Sequence, residues 1–95
     1  MQDMNDLLCF ARVVRFGGFA AAERATGERK SKLSKRVARL ETHFGARLIE
    51  RSTRHFRVTD LGRELYRECE VILQRLESAE ALAMTACLSS TLKFD

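Results

Sequence analysis

Between positions 29 and 57 the chain sets ten lysines and arginines against two glutamates, whereas residues 1–28 hold three bases and four acids and residues 58–95 four bases and seven acids. The net charge of +4 is the remainder of that asymmetry. A solvated surface mixes charge signs because crowded like charges repel, so a run this one-sided predicts a polyanionic partner, nucleic acid first and an anionic membrane surface second. Catalysis would need convergent acid, base or nucleophilic groups, and the chain offers His43, His55 and Tyr66 for that role. It carries no glycine-rich phosphate loop and no metal-ligand spacing, so we expect neither an enzyme nor a cofactor or metal site. His43 reads as a cap near a helix end. Cys9, Cys69 and Cys87 are odd in number and widely spaced, and are expected to be reduced, small apolar side chains.

The elements that position these bases follow from periodicity and breakers. Ninety-five residues fit one small core, and a composition 45% hydrophobic and 32% charged, without proline, favours helices. Leu7, Leu8, Phe10, Ala11, Val13 and Val14 recur at helical spacing from Met4 to Phe16, with Asp3 or Asn5 available as cap and Gly17-Gly18 as the stop. A short alanine-rich helix runs from Phe19 to Ala25 and turns at Gly27. A third helix, from about Lys30 to Phe44, buries Leu33, Val37, Leu40 and Phe44, which leaves Lys30, Ser31, Ser34, Lys35 and Arg39 outward. Leu48–Arg51 and His55–Thr59 read as two short strands around a polar tip that lacks the Asn-Gly signal of a tight hairpin.

A long helix starting at Thr59 or Asp60 is expected to reach about Leu88. Within it Leu65, Cys69, Ile72, Leu76, Ala79, Ala83 and Ala86 step by four and three, the seam of a coiled coil that one helix cannot bury alone. The expectation is a homodimer through this seam, with Leu61 and Leu65 turned to the chain's own core. No apolar run is long enough to span a membrane and the first residues lack the order of a signal peptide, so the expected location is cytoplasmic. Residues 90–95 alternate like the first strand of a further domain.

These pieces together resemble the DNA-binding region of LysR-type transcriptional regulators. The resemblance rests on Phe10-Ala11-Arg12-Val13-Val14, Gly18-Phe19, the run from Ser31 to Val37 with Leu40-Glu41, Gly45, Leu48 to Arg54, and Val58-Thr59-Asp60-Leu61-Gly62. It implies a mainly α fold: a winged helix-turn-helix over residues 1–60, with a three-helix core and a short β-hairpin wing, then a linker and dimerisation helix over 61–89. Residues 90–95 would begin an effector-binding domain, so the chain would bind DNA without sensing a coinducer. By position, Lys30, Ser31, Ser34 and Lys35 would face bases in the major groove and Arg54 would enter the minor groove. Arg29, Lys32, Arg36, Arg51 and Thr53 would meet phosphates, and His55 would lie near them. The partner implied is double-stranded DNA with a pseudo-palindromic site.

The chain departs from the family at Arg29-Lys30, where a glutamine preceded by serine or proline is common, and at Lys32, where a small apolar residue is frequent. Glu23, Thr26 and Glu28 also stand where apolar or small residues pack the turn. An RNA binder would show exposed aromatics, and a membrane binder a free apolar face beside its bases; neither pattern is present. The alternative that remains is a dimerising module whose altered turn weakens specific DNA recognition.

Overall fold

The computed structural model describes residues 3–51 and 54–89. It contains α1 (Met4–Phe16), α2 (Phe19–Thr26), α3 (Lys30–Phe44) and α4 (Asp60–Ser89). Asp3 is the cap of α1, its carboxylate accepting the Asn5 N–H at 2.9 Å. Gly17 ends the helix at φ 84°, a left-handed conformation that a side chain would strain.

Two apolar clusters hold the helices together. In the first, Phe10 and Val13 of α1, Ala22 of α2, and Leu33, Val37 and Leu40 of α3 close over Leu48 and Ile49. In the second, Leu8 and Ala11 of α1 meet Cys69 and Leu73 of α4. Arg15 pairs with Glu77 at 2.5 Å and fastens α1 to α4 a turn beyond that cluster. Past Leu73 every described side chain through Leu88 is exposed, so α4 leaves the core and projects from it.

The structure corrects the expected wing. No strand forms among the described residues; a single antiparallel bridge joins Ile49 to Val58. Beside it the Glu50 N–H donates to the Arg57 carbonyl at 2.9 Å and the Thr59 N–H to the Leu48 carbonyl at 3.0 Å. Of the donors at this end, the Leu48 N–H that could return a bond to Thr59 goes instead to the Glu41 carboxylate, and the Ile49 N–H, which faces away from Val58, goes to the same carboxylate. The expected tip residue Thr53 lies outside the described residues, as do residues 90–95.

The expected seam also divides. Cys69 is 1% exposed and packed inside the chain's own second cluster, with Leu65 partly buried beside it. Leu73, outside the heptad reading, is buried with them, because 65, 69 and 73 share the face of α4 that α1 covers. Leu61, expected in the core, is instead 47% exposed. Ile72, Leu76, Ala79, Ala83 and Ala86 are exposed.

The polar turn after α2 is satisfied. Thr26 donates its hydroxyl to the Ala22 carbonyl at 2.8 Å and accepts the Glu28 N–H at 3.2 Å, while Glu28 pairs with Lys32 at 3.2 Å. Glu23 is half-buried. The α4 cap is Thr59, whose hydroxyl accepts the Gly62 N–H at 3.0 Å. A Cβ on Gly62 would stand 2.3 Å from the Leu48 carbonyl oxygen, so only glycine lets α4 start this close to residue 48.

Candidate nucleic-acid interface

The apolar stripe of α3 turns its opposite face outward, and the bases on the two halves of that helix have different surroundings. Lys30, Ser31 and Lys35 are exposed and Ser34 is half-buried. Arg29, Lys30 and Lys35 enter no ion pair among the described residues. Arg29 occupies the cap position without a capping side chain, and the first turn holds no acid. The free N–H groups and positive dipole end of α3 are thus joined by more positive charge, an arrangement that favours an incoming anion over the isolated helix.

Farther along α3, Arg39 donates from Nε and Nη2 to the two carboxylate oxygens of Asp6 at 2.6 and 2.7 Å, and Arg36 adds a third bond at 3.1 Å. Asp6 has no exposed surface, and Asp3 stands 3.6 Å from both guanidiniums. The Arg39 bonds hold the Asp6 carboxyl below the usual aspartate range, against burial, with Arg36 helping. Arg36, expected at a phosphate, therefore has part of its guanidinium engaged, and the outward Arg39 is anchored to α1.

Glu41 is the second buried carboxylate. It accepts the Leu48 N–H at 2.8 Å, the Ile49 N–H at 3.1 Å and Arg51 Nη2 at 2.9 Å, with Arg47 at 3.5 Å. Burial pushes its carboxyl up, but the two backbone donors and Arg51 outweigh that and leave it below the usual glutamate range. Arg51 also lies 5.6 Å over the Phe19 ring, which meets Phe56 edge-on at 6.2 Å. Arg51, Arg54 and Arg24 line one open groove of about 500 Å³ between α2 and residues 54–56. Among the described residues, no group of His, Cys, Asp and Glu is arranged to hold a metal.

The structure thus brings Arg51 and Arg54 together and keeps Lys30, Ser31 and Lys35 on one open face. Sequence reading missed Arg24, Asp6 and Glu41 as contributors. Asp3 and Asp6 repeat the i, i+3 spacing of Arg36 and Arg39, a signal of paired helix faces, but one visible only once α1 is known to cross α3.

Helices of this order, with a basic, outward third helix, define a helix-turn-helix protein. The model of the bacterial regulatory helix-turn-helix protein, lysR family, matches residues 4–63, and the chain belongs to that family. It is 42% identical over 79 residues to an HTH-type transcriptional regulator of Xanthomonas campestris pv. campestris, covering 83% of this chain and 23% of the relative. To the HTH-type transcriptional activator BauR of Pseudomonas aeruginosa it is 38% identical over 79 residues, 83% of this chain and 26% of the relative. The chain therefore spans roughly a quarter of the length of these curated relatives. Among solved structures it resembles the full-length Vibrio cholerae virulence activator AphB, with TM-score 0.77 and 27% identity over 85% of this chain and 28% of that one. It also resembles the BenM DNA-binding domain in complex with catB site 1 DNA, with TM-score 0.72 and 25% identity over 94% of each chain. The chain is a LysR-type helix-turn-helix DNA-binding domain, and no helix among its described residues is long and apolar enough to cross a membrane.

Proposed function

We propose that this domain binds a pseudo-palindromic duplex site as a homodimer, in the cytoplasm where the chromosome lies. Lys30, Ser31, Ser34 and Lys35 read base edges in the major groove, and Arg54 enters the adjacent minor groove. Arg29, Lys32, Thr53 and the free edges of Arg36 and Arg51 face phosphates. The observation that carries this reading is the uncapped, acid-free start of α3, where Arg29 and Lys30 enter no ion pair among the described residues, which is unfavourable for the helix alone and suited to a polyanion. Dimerisation through α4 is supported by Ile72, Leu76, Ala79, Ala83 and Ala86, which share one face of the helix and are all exposed, since monomers seldom leave such a stripe in water. Two-fold symmetry would then present two α3 helices to successive major grooves on one duplex face.

The test is binding across a salt series to a duplex selected from a random pool, its scrambled version and an isolated half-site. The selected duplex should bind far more tightly than the other two. Lys30→Ala and Lys35→Ala should each lose about 1–3 kcal/mol on it and less on the scrambled duplex. Equal losses on both duplexes would leave a non-specific polyanion binder, and equal affinity for half-site and full site would remove the dimer geometry.

A further inference from the structure

The proposed reading places DNA contacts on two segments, α3 and the loop that carries Arg54, and that loop is thinly paired. One bridge and two flanking backbone hydrogen bonds join its sides among the described residues. Such pairing leaves the orientation of the loop relative to α3 to be fixed by something else. Glu41 is the single acid of α3, and its carboxylate faces the base of that loop at 6% exposure.

We infer that Glu41 is a positioning residue for DNA recognition, holding the loop that carries Arg54 at a set angle to the base-reading face of α3. The inference rests on the DNA-binding reading above and adds a side chain that never touches the duplex. One oxygen, Oε2, takes both the Leu48 and Ile49 N–H groups, which fixes where the chain leaves α3. The other, Oε1, takes Arg51, three residues before Arg54. Arg51 is held from its other side by the Phe19 ring, and Phe19 by Phe56, two residues after Arg54. Both sides of the loop are thereby referred to one carboxylate on α3. The same segment is tied onward to α4, because the Leu48 carbonyl accepts from the Thr59 N–H at 3.0 Å and the Thr59 hydroxyl donates to the Arg47 carbonyl at 2.8 Å.

Every contact Glu41 makes is as an acceptor, which makes the chemistry sharp. A glutamine there keeps the shape but must turn an NH₂ group toward either Arg51 or the two backbone donors, so one side of the tie is lost. A merely structural role would weaken folding and leave the separate DNA contacts additive. A positioning role makes the Arg54 contribution depend on Glu41.

The experiment is a double-mutant cycle of Glu41→Gln and Arg54→Ala, read as affinity for duplexes that share the selected half-sites and differ in A·T-rich or G·C-rich flanks. In the unsubstituted protein Arg54→Ala should weaken binding to the A·T-flanked duplex roughly tenfold. In the Glu41→Gln background the same change should cost less than about twofold, and the preference for A·T flanks should vanish, while Lys30→Ala keeps its full effect. Equal Arg54→Ala losses in both backgrounds overturn the inference and leave the DNA-binding reading standing. An unsubstituted protein that does not separate selected from scrambled duplex overturns both. If far-UV circular dichroism shows Glu41→Gln unfolded, Glu41→Asp, which keeps the charge one methylene short of the amides, is read in the same cycle by the same criteria.

Discussion

The two halves of α3 differ in what their positive charges are for. In the first two turns Lys30 and Lys35 stand exposed and outside any described ion pair, over a helix start that nothing caps. From Arg36 onward the charges are matched: Arg36 and Arg39 converge on the buried Asp6, and Glu41 draws Arg51 and Arg47 to itself. Lys30 and Lys35 are left without an anion, whereas Lys32 has Glu28 and the arginines beyond are closed off by carboxylates. Ten bases in 29 residues therefore overstate the charge that a duplex would meet. A base is available to a ligand only where the fold has not already supplied its anion.

The strongest way to break that contrast is to remove the buried anion. Asp6→Asn leaves two guanidiniums facing an amide, and breaking a buried pair typically costs about 3–5 kcal/mol. The lower end applies, since both arginines can turn toward water, and urea unfolding should show it as a lower midpoint at unchanged slope. The same variant should bind scrambled duplex more tightly, with a salt slope steeper by about one to two units as Arg36 and Arg39 are released to phosphates. A protein as stable as the original would show that Asp6 does not hold the two helices. An unchanged salt slope would show that the released arginines lie away from DNA.

The second prediction sharpens the contrast through pH. Asp6 and Glu41 have folded-state values held below their ordinary values of 3.8 and 4.5. A carboxylate with a depressed folded-state pKa stabilises the fold above its unfolded value, and that contribution is lost as pH falls through the folded one. Stability should therefore be level from about pH 7 to 5.5 and decline below about pH 4.5, at up to about 1.4 kcal/mol per pH unit for each carboxylate. Denaturant melts at half-unit intervals would test it. A Glu41→Gln, Asp6→Asn double variant should flatten the acid limb, and an undiminished limb in that variant would assign the decline to other acids.

How much of this was legible in the sequence follows the distance over which each feature is decided. The bounds of α1 and α3 could be read because apolar spacing, Gly17 and Gly45 act within a turn or two of the chain. The Asp6 bonds to Arg39 span 33 residues, and nothing local says that α1 crosses α3 at that level. Cys69 was misplaced for the same reason: the heptad count finds a stripe on α4 but not where α1 stops covering it. The wing was over-read as strands because β-branched residues mark extended chain, whereas one cross-strand donor, the Leu48 N–H, is taken by Glu41, a residue whose helical position gave no sign of that use.

The smallest expected effect bears most directly on the open half of α3. Lys30 is the first residue of the helix, where the aligned peptide dipoles place partial positive charge and where Arg29 supplies no capping oxygen. A cation there is unfavourable by a few tenths of a kcal/mol at low salt, and alanine is also the better helix former. Lys30→Ala should consequently raise stability by about 0.3–1 kcal/mol while removing affinity for the selected duplex. Lys35 lies a turn and a half farther along, where the dipole has faded, so Lys35→Ala should leave stability within about 0.5 kcal/mol. The measurement is a pair of urea melts at low and high salt beside the binding series. The Lys30 gain should shrink in high salt because screening removes its electrostatic part. A Lys30→Ala protein less stable than the original at low salt would mean that Lys30 already has an anion within the fold, and the division of α3 into an open and a closed half would fail at its first residue.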